Sequence, residues 1–179
     1  MKENHGVIWT IGHSTRTIEQ FLELIDEHKV KLLADVRQFP GSRRYPQFGK
    51  AQLAAELERA GIIYTHLPEL GGRRRARPDS QNTAWRNEAF RGYADYMETA
   101  QFKAGIDRLL EAGSSSVTAM MCAEALWWRC HRALISDYLK AMGYTVKHII
   151  GPHKVEEHPF TTAAHIVDSK LSYSAQQPH

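Results

Sequence analysis

The stretch Val117–Met142, VTAMMCAEALWWRCHRALISDYLKAM, decides how this chain is read. Its first six residues form an apolar run of strand length ending at Cys122. Leu134, Ile135, Tyr138, Leu139 and Met142 then recur at helical spacing up to Gly143, the expected stop. Between them lies a loop with Glu124 and Arg129, and the expected first helical turn is Cys130-His131-Arg132. The chain has two cysteines, and both fall at this strand-to-helix turn beside a carboxylate, an imidazole and guanidinium groups.

Working outward, the same strand-helix alternation repeats. Val7–Ile11 is a β-rich run closed by Gly12 and followed by the polar turn His13-Ser14-Thr15. A helix is expected next: Thr17 with Gln20 matches a capping box, and Ile18, Phe21, Leu22 and Ile25 share one face. Lys31–Val36 reads as the second strand and runs through Arg37 into a loop to Phe48, where Pro40 and Pro46 oppose regular structure. A helix over Lys50–Ala60 ends at Gly61, and Ile62–His66 is the third strand, followed by Leu67-Pro68-Glu69-Leu70-Gly71-Gly72. Residues 73–91 read as a long basic loop with a helical turn near Ala84–Asn87. One helical pattern is expected from Tyr93 through Leu110 to Gly113. After Val117–Met142, Tyr144–Ile150 is the fifth strand, and the tail from Gly151 carries no clear period. The fold class expected is α/β: a single domain over residues 1–179, with a mostly parallel sheet of about five strands and helices on both faces. The ends, 1–6 and 174–179, are expected to be flexible.

Composition agrees with one globular domain: 179 residues, 42% of them hydrophobic, can bury a sizeable core. No apolar run is long enough to span a bilayer as a helix, and no secretory pattern opens the chain, so a cytoplasmic protein without membrane attachment is expected. In that setting the two cysteines are expected to be thiols. The net charge of +3 is modest, but Arg43-Arg44 and Arg73-Arg74-Arg75 with Arg77 are clustered. Such clusters favour anionic partners or form solvated faces.

In a parallel sheet, ligands bind outside the carboxyl ends of the strands. That rule brings His13 after strand one, Asp35 and Arg37 after strand two, His66 and Glu69 after strand three, and Cys122 and Glu124 after strand four to one edge. Cys130 at a helix N-terminus beside His and Arg should have a depressed pKa, whereas Cys122 is either reactive or a small core hydrophobe. Glu124 is a general acid or base, or the partner of Arg129 or Arg132. His131 and His13 are proton carriers or backbone-bonded turn residues. Arg37 and Arg132 suit an anion clamp, and Arg43, Arg44, Asp35 and Glu69 complete the expected binding set. Zinc on Cys122, Cys130 and His131 lacks a fourth ligand and a familiar spacing, so no metal is assigned, and no motif names a cofactor. Tyr45 and Phe48 near Arg43-Arg44, and Trp85 near Arg73–Arg77, would suit stacking on bases beside phosphate contacts, while of Trp127-Trp128, which could also offer a stacking surface, at least one is expected in the core.

These motifs in this order, Thr10-Ile11-Gly12-His13-Ser14, Asp35-Val36-Arg37 with Pro40 and Ser42-Arg43-Arg44, His66-Leu67-Pro68-Glu69-Leu70-Gly71-Gly72, and Cys122-x-Glu124 with Cys130-His131-Arg132, resemble the domain of unknown function 488 family. The resemblance implies a small cytosolic bacterial or archaeal protein with those polar motifs at its site, and no particular reaction. A weaker likeness is to rhodanese-type domains and cysteine phosphatases. There the spacing from Cys122 to Arg129 is one residue too long and the loop lacks glycine. Three readings follow: an enzyme acting on an anionic substrate, such as a nucleotide or nucleic-acid component; a non-catalytic nucleic-acid-binding module; and a sulfurtransferase or phosphatase.

Overall fold

A computed structural model describes residues 6–41 and 43–175. Among these, five parallel strands run β1 (Val7–Gly12), β2 (Leu32–Asp35), β3 (Ile63–His66), β4 (Thr118–Cys122) and β5 (Thr145–Gly151). An antiparallel strand, β6 (Lys154–Glu157), pairs with β5, so the sheet has six strands in the order β3-β2-β4-β1-β5-β6. A separate hairpin, β7 (His165–Val167) and β8 (Lys170–Ser172), follows. The expected α/β class and mostly parallel sheet are therefore present, with one strand more than the expected five.

Side-chain alternation along the strands divides the core into two layers. Ile11, Leu33, Ala119 and Met121 face α1 (Ile18–Glu27) and α2 (Lys50–Arg59), which contribute Phe21, Leu24, Ile25, Leu53 and Leu57. Their neighbours Ile8, Leu32, Ala34, Met120 and Cys122 face α3 (Glu88–Tyr96), α4 (Ala100–Ser115) and α5 (Arg132–Ala141). The two layers follow from crossover handedness. From β1 the chain steps through α1 to β2 and through α2 to β3, moving one way across the sheet. From β3 it returns through α3 and α4 to β4 and through α5 to β5. Crossovers of one hand that move in opposite directions must lie on opposite faces.

The strand order is what positions a site. Strand β4 lies between β2 and β1, and its exit leads to the opposite face from theirs. The chain therefore parts on either side of Cys122, and a parting of this kind is where an open parallel sheet leaves a crevice.

Several local expectations are corrected. The helical pattern over 93–113 is two helices: Thr99 caps α4 by accepting from the Phe102 amide, and α4 continues past Gly113 to Ser115. No helical turn forms at Ala84–Asn87, and α3 begins at Glu88, which shortens the long loop. That loop is held down. Asp95 accepts from the Arg77 amide, Ser80 and Asn82, and the guanidinium of Arg74 lies 3.7 Å over the Tyr96 ring. In α5, Arg132 is the first helical residue and His131 occupies the cap position, so Cys130 precedes the helix. Met142, expected to face inward, is 41% exposed, whereas the Thr17–Gln20 capping box forms as expected. Of the expected flexible ends, residues 1–5 and 176–179 lie outside the described residues, as does Ser42.

Candidate functional site

The ladder between β1 and β4 runs on past the strands: the His13 amide donates to the Cys122 carbonyl at 2.9 Å and the Ser14 amide to Ala123 at 3.0 Å. This extension forces the 123–125 loop against Gly12, where a Cβ would stand 1.8 Å from the Glu124 carbonyl oxygen. Only glycine permits that approach. On the other side of β4, the Val36 amide donates to the Met121 carbonyl at 3.0 Å, which aligns the exit of β2 with that of β4.

These exits surround a cleft of about 840 Å³. His13, Arg37, Cys122, Glu124, Cys130 and His131 all line it, so six of the side chains singled out in the sequence meet in one place. Phe39, Tyr45, Phe90 and Tyr93 form its apolar walls, and Arg73 lies at its edge.

The two sulfurs are 3.2 Å apart. Cys122 is buried, and burial pushes its thiol up well above the usual range, so it keeps its proton. Cys130 is held well below the usual thiol range, first by the hydrogen bond from Cys122, then by hydrogen bonding and charge from His131 and by the Arg132 charge. The Arg132 amide adds a further donor to Cys130 Sγ at 3.4 Å. Those opposite pKa directions make Cys122 the donor in the contact and Cys130 the acceptor, the more readily ionised of the two sulfurs.

The tautomer of His131 follows from its neighbours. Its Nε2 is 2.8 Å from the carbonyl oxygen of Val36, which can only accept, so Nε2 carries hydrogen, and Nδ1 is the nitrogen left for Cys130, to which it donates once it holds the proton of that thiol. Gly72 keeps space for that nitrogen: a Cβ there would lie 3.0 Å from Nδ1. By the same logic His13 donates from Nδ1 to the Ser14 carbonyl at 2.9 Å, and its Nε2 accepts from Arg37 NH1 at 3.4 Å. Burial lowers the His13 pKa to about 4, and its ring stacks on Phe48 with centroids 4.3 Å apart. His13 is neutral at physiological pH and serves to orient Arg37.

Arg37 is gripped from behind. Its Nε and NH2 donate to the two oxygens of the fully buried Asp35 at 2.9 and 2.8 Å, and Tyr64 donates to the same carboxylate. Asp35 does not line the cleft. It fixes the guanidinium whose remaining edge is turned toward His13 and the cavity.

Other expected members of the binding set lie elsewhere. Arg132 is 1% exposed and donates from NH1 to Thr10 Oγ1 and from NH2 to the carbonyls of Glu124 and Ala125, so it ties the loop to β1 from inside. Glu69 turns toward α4 and pairs with Arg108 at 2.7 Å. His66 donates from Nε2 to the Arg37 carbonyl oxygen at 2.7 Å and does not reach the cleft. Arg43 and Arg44 are exposed outside the cleft, with Arg44 5.8 Å from the Tyr45 ring centre. Glu124 is exposed at the cleft, and Arg132 binds its backbone oxygen rather than its carboxylate. Trp127 packs on His148 with centroids 4.7 Å apart, whereas Trp128 is 47% exposed. Among the described residues no group of three or more His, Cys, Asp or Glu is arranged to hold a metal ion.

The model of the family described as Domain of unknown function DUF488 matches residues 17–139. The chain belongs to that family. The matched segment contains the Asp35-Val36-Arg37, 66–72 and Cys122–Arg132 motifs of this DUF488 member, while Thr10–Ser14 precedes it. Comparisons with curated proteins and with solved structures found no match. No helix among the described residues is long and apolar enough to cross a membrane.

A polar network that the sequence reading missed lies behind the site. His148 Nδ1 is 2.5 Å from Thr10 Oγ1, its Nε2 is 2.9 Å from His158 Nδ1, and His158 Nε2 is 2.8 Å from Asp137, all fully or almost fully buried. Thr161 and Tyr173 also donate to Asp137, so the segment after β6 is anchored to α5. Asp137 among the buried residues of α5 was the available signal, since a carboxylate on the inner face of a helix requires partners.

Proposed function

We propose that this protein is an enzyme acting on a small anionic substrate, a nucleotide or nucleic-acid component, through the thiolate of Cys130. The observation that carries this reading is the Cys130–His131 pair at the cleft: a sulfur receiving several hydrogen bonds, next to an imidazole whose tautomer is set by the Val36 carbonyl. A thiolate so placed is a nucleophile at neutral pH. Arg37, held by Asp35, offers the guanidinium edge for a phosphate or carboxylate, and Arg73 adds positive charge at the opening. Phe39, Tyr45 and Phe90 supply faces on which a base can stack. Glu124 is the carboxylate available to exchange a proton with a leaving group, and His131 takes the nucleophile's proton.

The test is turnover of a panel of nucleoside mono- and triphosphates and short single-stranded oligonucleotides, read by chromatography, for the native chain and for Cys130→Ser and Glu124→Gln. The expected result is turnover of at least one probe that both variants lose while still binding it. Binding that weakens steeply with salt, with no turnover in the native chain, would replace this reading with that of a nucleic-acid-binding module.

A further inference from the structure

The 3.2 Å approach of the two sulfurs exceeds what a nucleophile alone requires, since a single thiolate with His131 would suffice for attack. We propose that Cys122 and Cys130 are a redox pair that reduces a small anionic disulfide, with Cys130 as the attacking thiolate and Cys122 as the resolving thiol. The inference rests on the reading above for the Cys130 thiolate and the anion-binding cleft, and assigns to them a second substrate class, distinct from the nucleotide.

The geometry supports a division of labour. Cys130 is the more accessible sulfur, half-buried at a cleft large enough to admit a tripeptide-sized group, with Arg37 and Arg73 available for its carboxylates. Cys122 borders the same cleft but is only 2% exposed, too enclosed for a bulky disulfide to reach, whereas Cys130 Sγ lies 3.2 Å from its sulfur. The sulfurs already touch: the single S–H of Cys122 lies within reach of Cys130 Sγ at 3.2 Å and of the Glu124 carbonyl at 3.5 Å. The loop that joins the two cysteines is held by Arg132 through the Glu124 and Ala125 carbonyls.

The steps balance as thiol–disulfide exchange. Cys130 thiolate attacks one sulfur of the substrate disulfide; the substrate S–S bond breaks, a mixed disulfide forms on Cys130 and one substrate thiolate leaves. Cys122 then loses its proton to that leaving thiolate and attacks Cys130 Sγ. The mixed disulfide breaks, the second substrate thiolate departs and takes a proton from solvent, and a Cys122–Cys130 disulfide remains. The substrate disulfide is reduced by two electrons and the cysteine pair is oxidised by two. An external dithiol returns the pair to its reduced state.

The probe is glutathione disulfide, added without oxygen to the reduced full-length chain, with intact mass and peptide mapping as readouts. The native chain is expected to lose two hydrogens, carry no glutathionyl group and release two glutathione molecules. Cys122→Ser is expected to retain one glutathionyl group on Cys130, and Cys130→Ser to acquire neither adduct nor bridge. A lasting adduct on the native chain, or an adduct on Cys122 in Cys130→Ser, overturns the proposal. Alkylation by iodoacetamide at neutral pH separates this inference from the reading it rests on. Rapid alkylation of Cys130 without bridge formation removes the redox pair and leaves the nucleophile, whereas slow alkylation removes both.

Discussion

Asp35 and Arg37 grip each other through parallel contacts at the end of β2, Nε to Oδ1 at 2.9 Å and NH2 to Oδ2 at 2.8 Å, with the carboxylate fully buried and the guanidinium 8% exposed as a residue. An ion pair so enclosed couples stability to site geometry, because removing either charge leaves the other without compensation in a medium that solvates it poorly. Asp35→Asn is therefore expected to cost about 3–5 kcal/mol in urea unfolding. A loss below about 1 kcal/mol would be that of a solvent-screened pair and would contradict the enclosed geometry.

The other half of that arrangement concerns binding. Arg37→Lys keeps a positive charge for Asp35 but cannot make two contacts to it and still present an edge toward His13 and the cleft. Affinity for a phosphate-bearing ligand is expected to fall roughly tenfold, with the fold largely retained, as read by calorimetric titration and circular dichroism. Unchanged affinity would remove Arg37 from the anion site.

Acid should weaken the fold through two histidines. Burial lowers His13 to about 4 and His148 to about 2, below the ordinary value near 6.5. The unfolded chain then binds more protons than the native one in the window between those values, so stability falls as pH drops through 6.5. Between pH 7 and pH 5 each histidine is expected to remove about 2 kcal/mol. The check is the urea midpoint at both values for the native chain and His148→Gln, the variant having the smaller pH dependence. Equal slopes in the two proteins would contradict the assignment.

Much of this layout can be read without coordinates. Val7–Ile11, Lys31–Val36 and Val117–Cys122 are largely apolar runs, each followed within two residues by a polar side chain, and that pattern placed His13, Arg37 and Cys122 on one edge. What local pattern does not contain is partner choice. Nothing in β4 says that it inserts between β1 and β2, and a guanidinium at Arg132 has the same sequence appearance whether it binds a ligand or two carbonyls and Thr10. Glu69 likewise follows strand β3 as expected, but the turn at 68–70 directs it to Arg108 on α4. The break at Met97–Thr99 is masked because apolar residues continue at compatible spacing across it. Strand β6 is exposed along its whole length, so it has no alternation to reveal it.

The approach of β1 to the 123–125 loop gives a prediction independent of charge. A methyl group at Gly12 would stand 1.8 Å from the Glu124 carbonyl oxygen, which Arg132 also binds at 2.9 Å. Gly12→Ala must push the 123–125 loop outward and stretch that contact, costing about 1–3 kcal/mol. Because the loop connects the two cysteines, the rate of Cys130 alkylation is expected to change with it. A variant with native stability and native thiol reactivity would show that the loop gives way freely.

The Cys130–His131 pairing leads to the last expectation. His131 lowers the Cys130 pKa by both hydrogen bonding and charge, after the larger contribution of the Cys122 hydrogen bond. In the native chain the alkylation rate should already be near its plateau at neutral pH, since the reactive species is the thiolate. His131→Gln can still donate to the Val36 carbonyl but brings no positive charge to the sulfur, so the titration should move upward and the rate at pH 7 fall about tenfold. Raising the pH should restore the variant to the native plateau, because only the thiolate fraction has changed. A loss that persists at high pH would mean that His131 shapes access to Cys130 rather than its ionisation. An unaltered profile would mean that Cys122 and the Arg132 amide alone hold the thiolate.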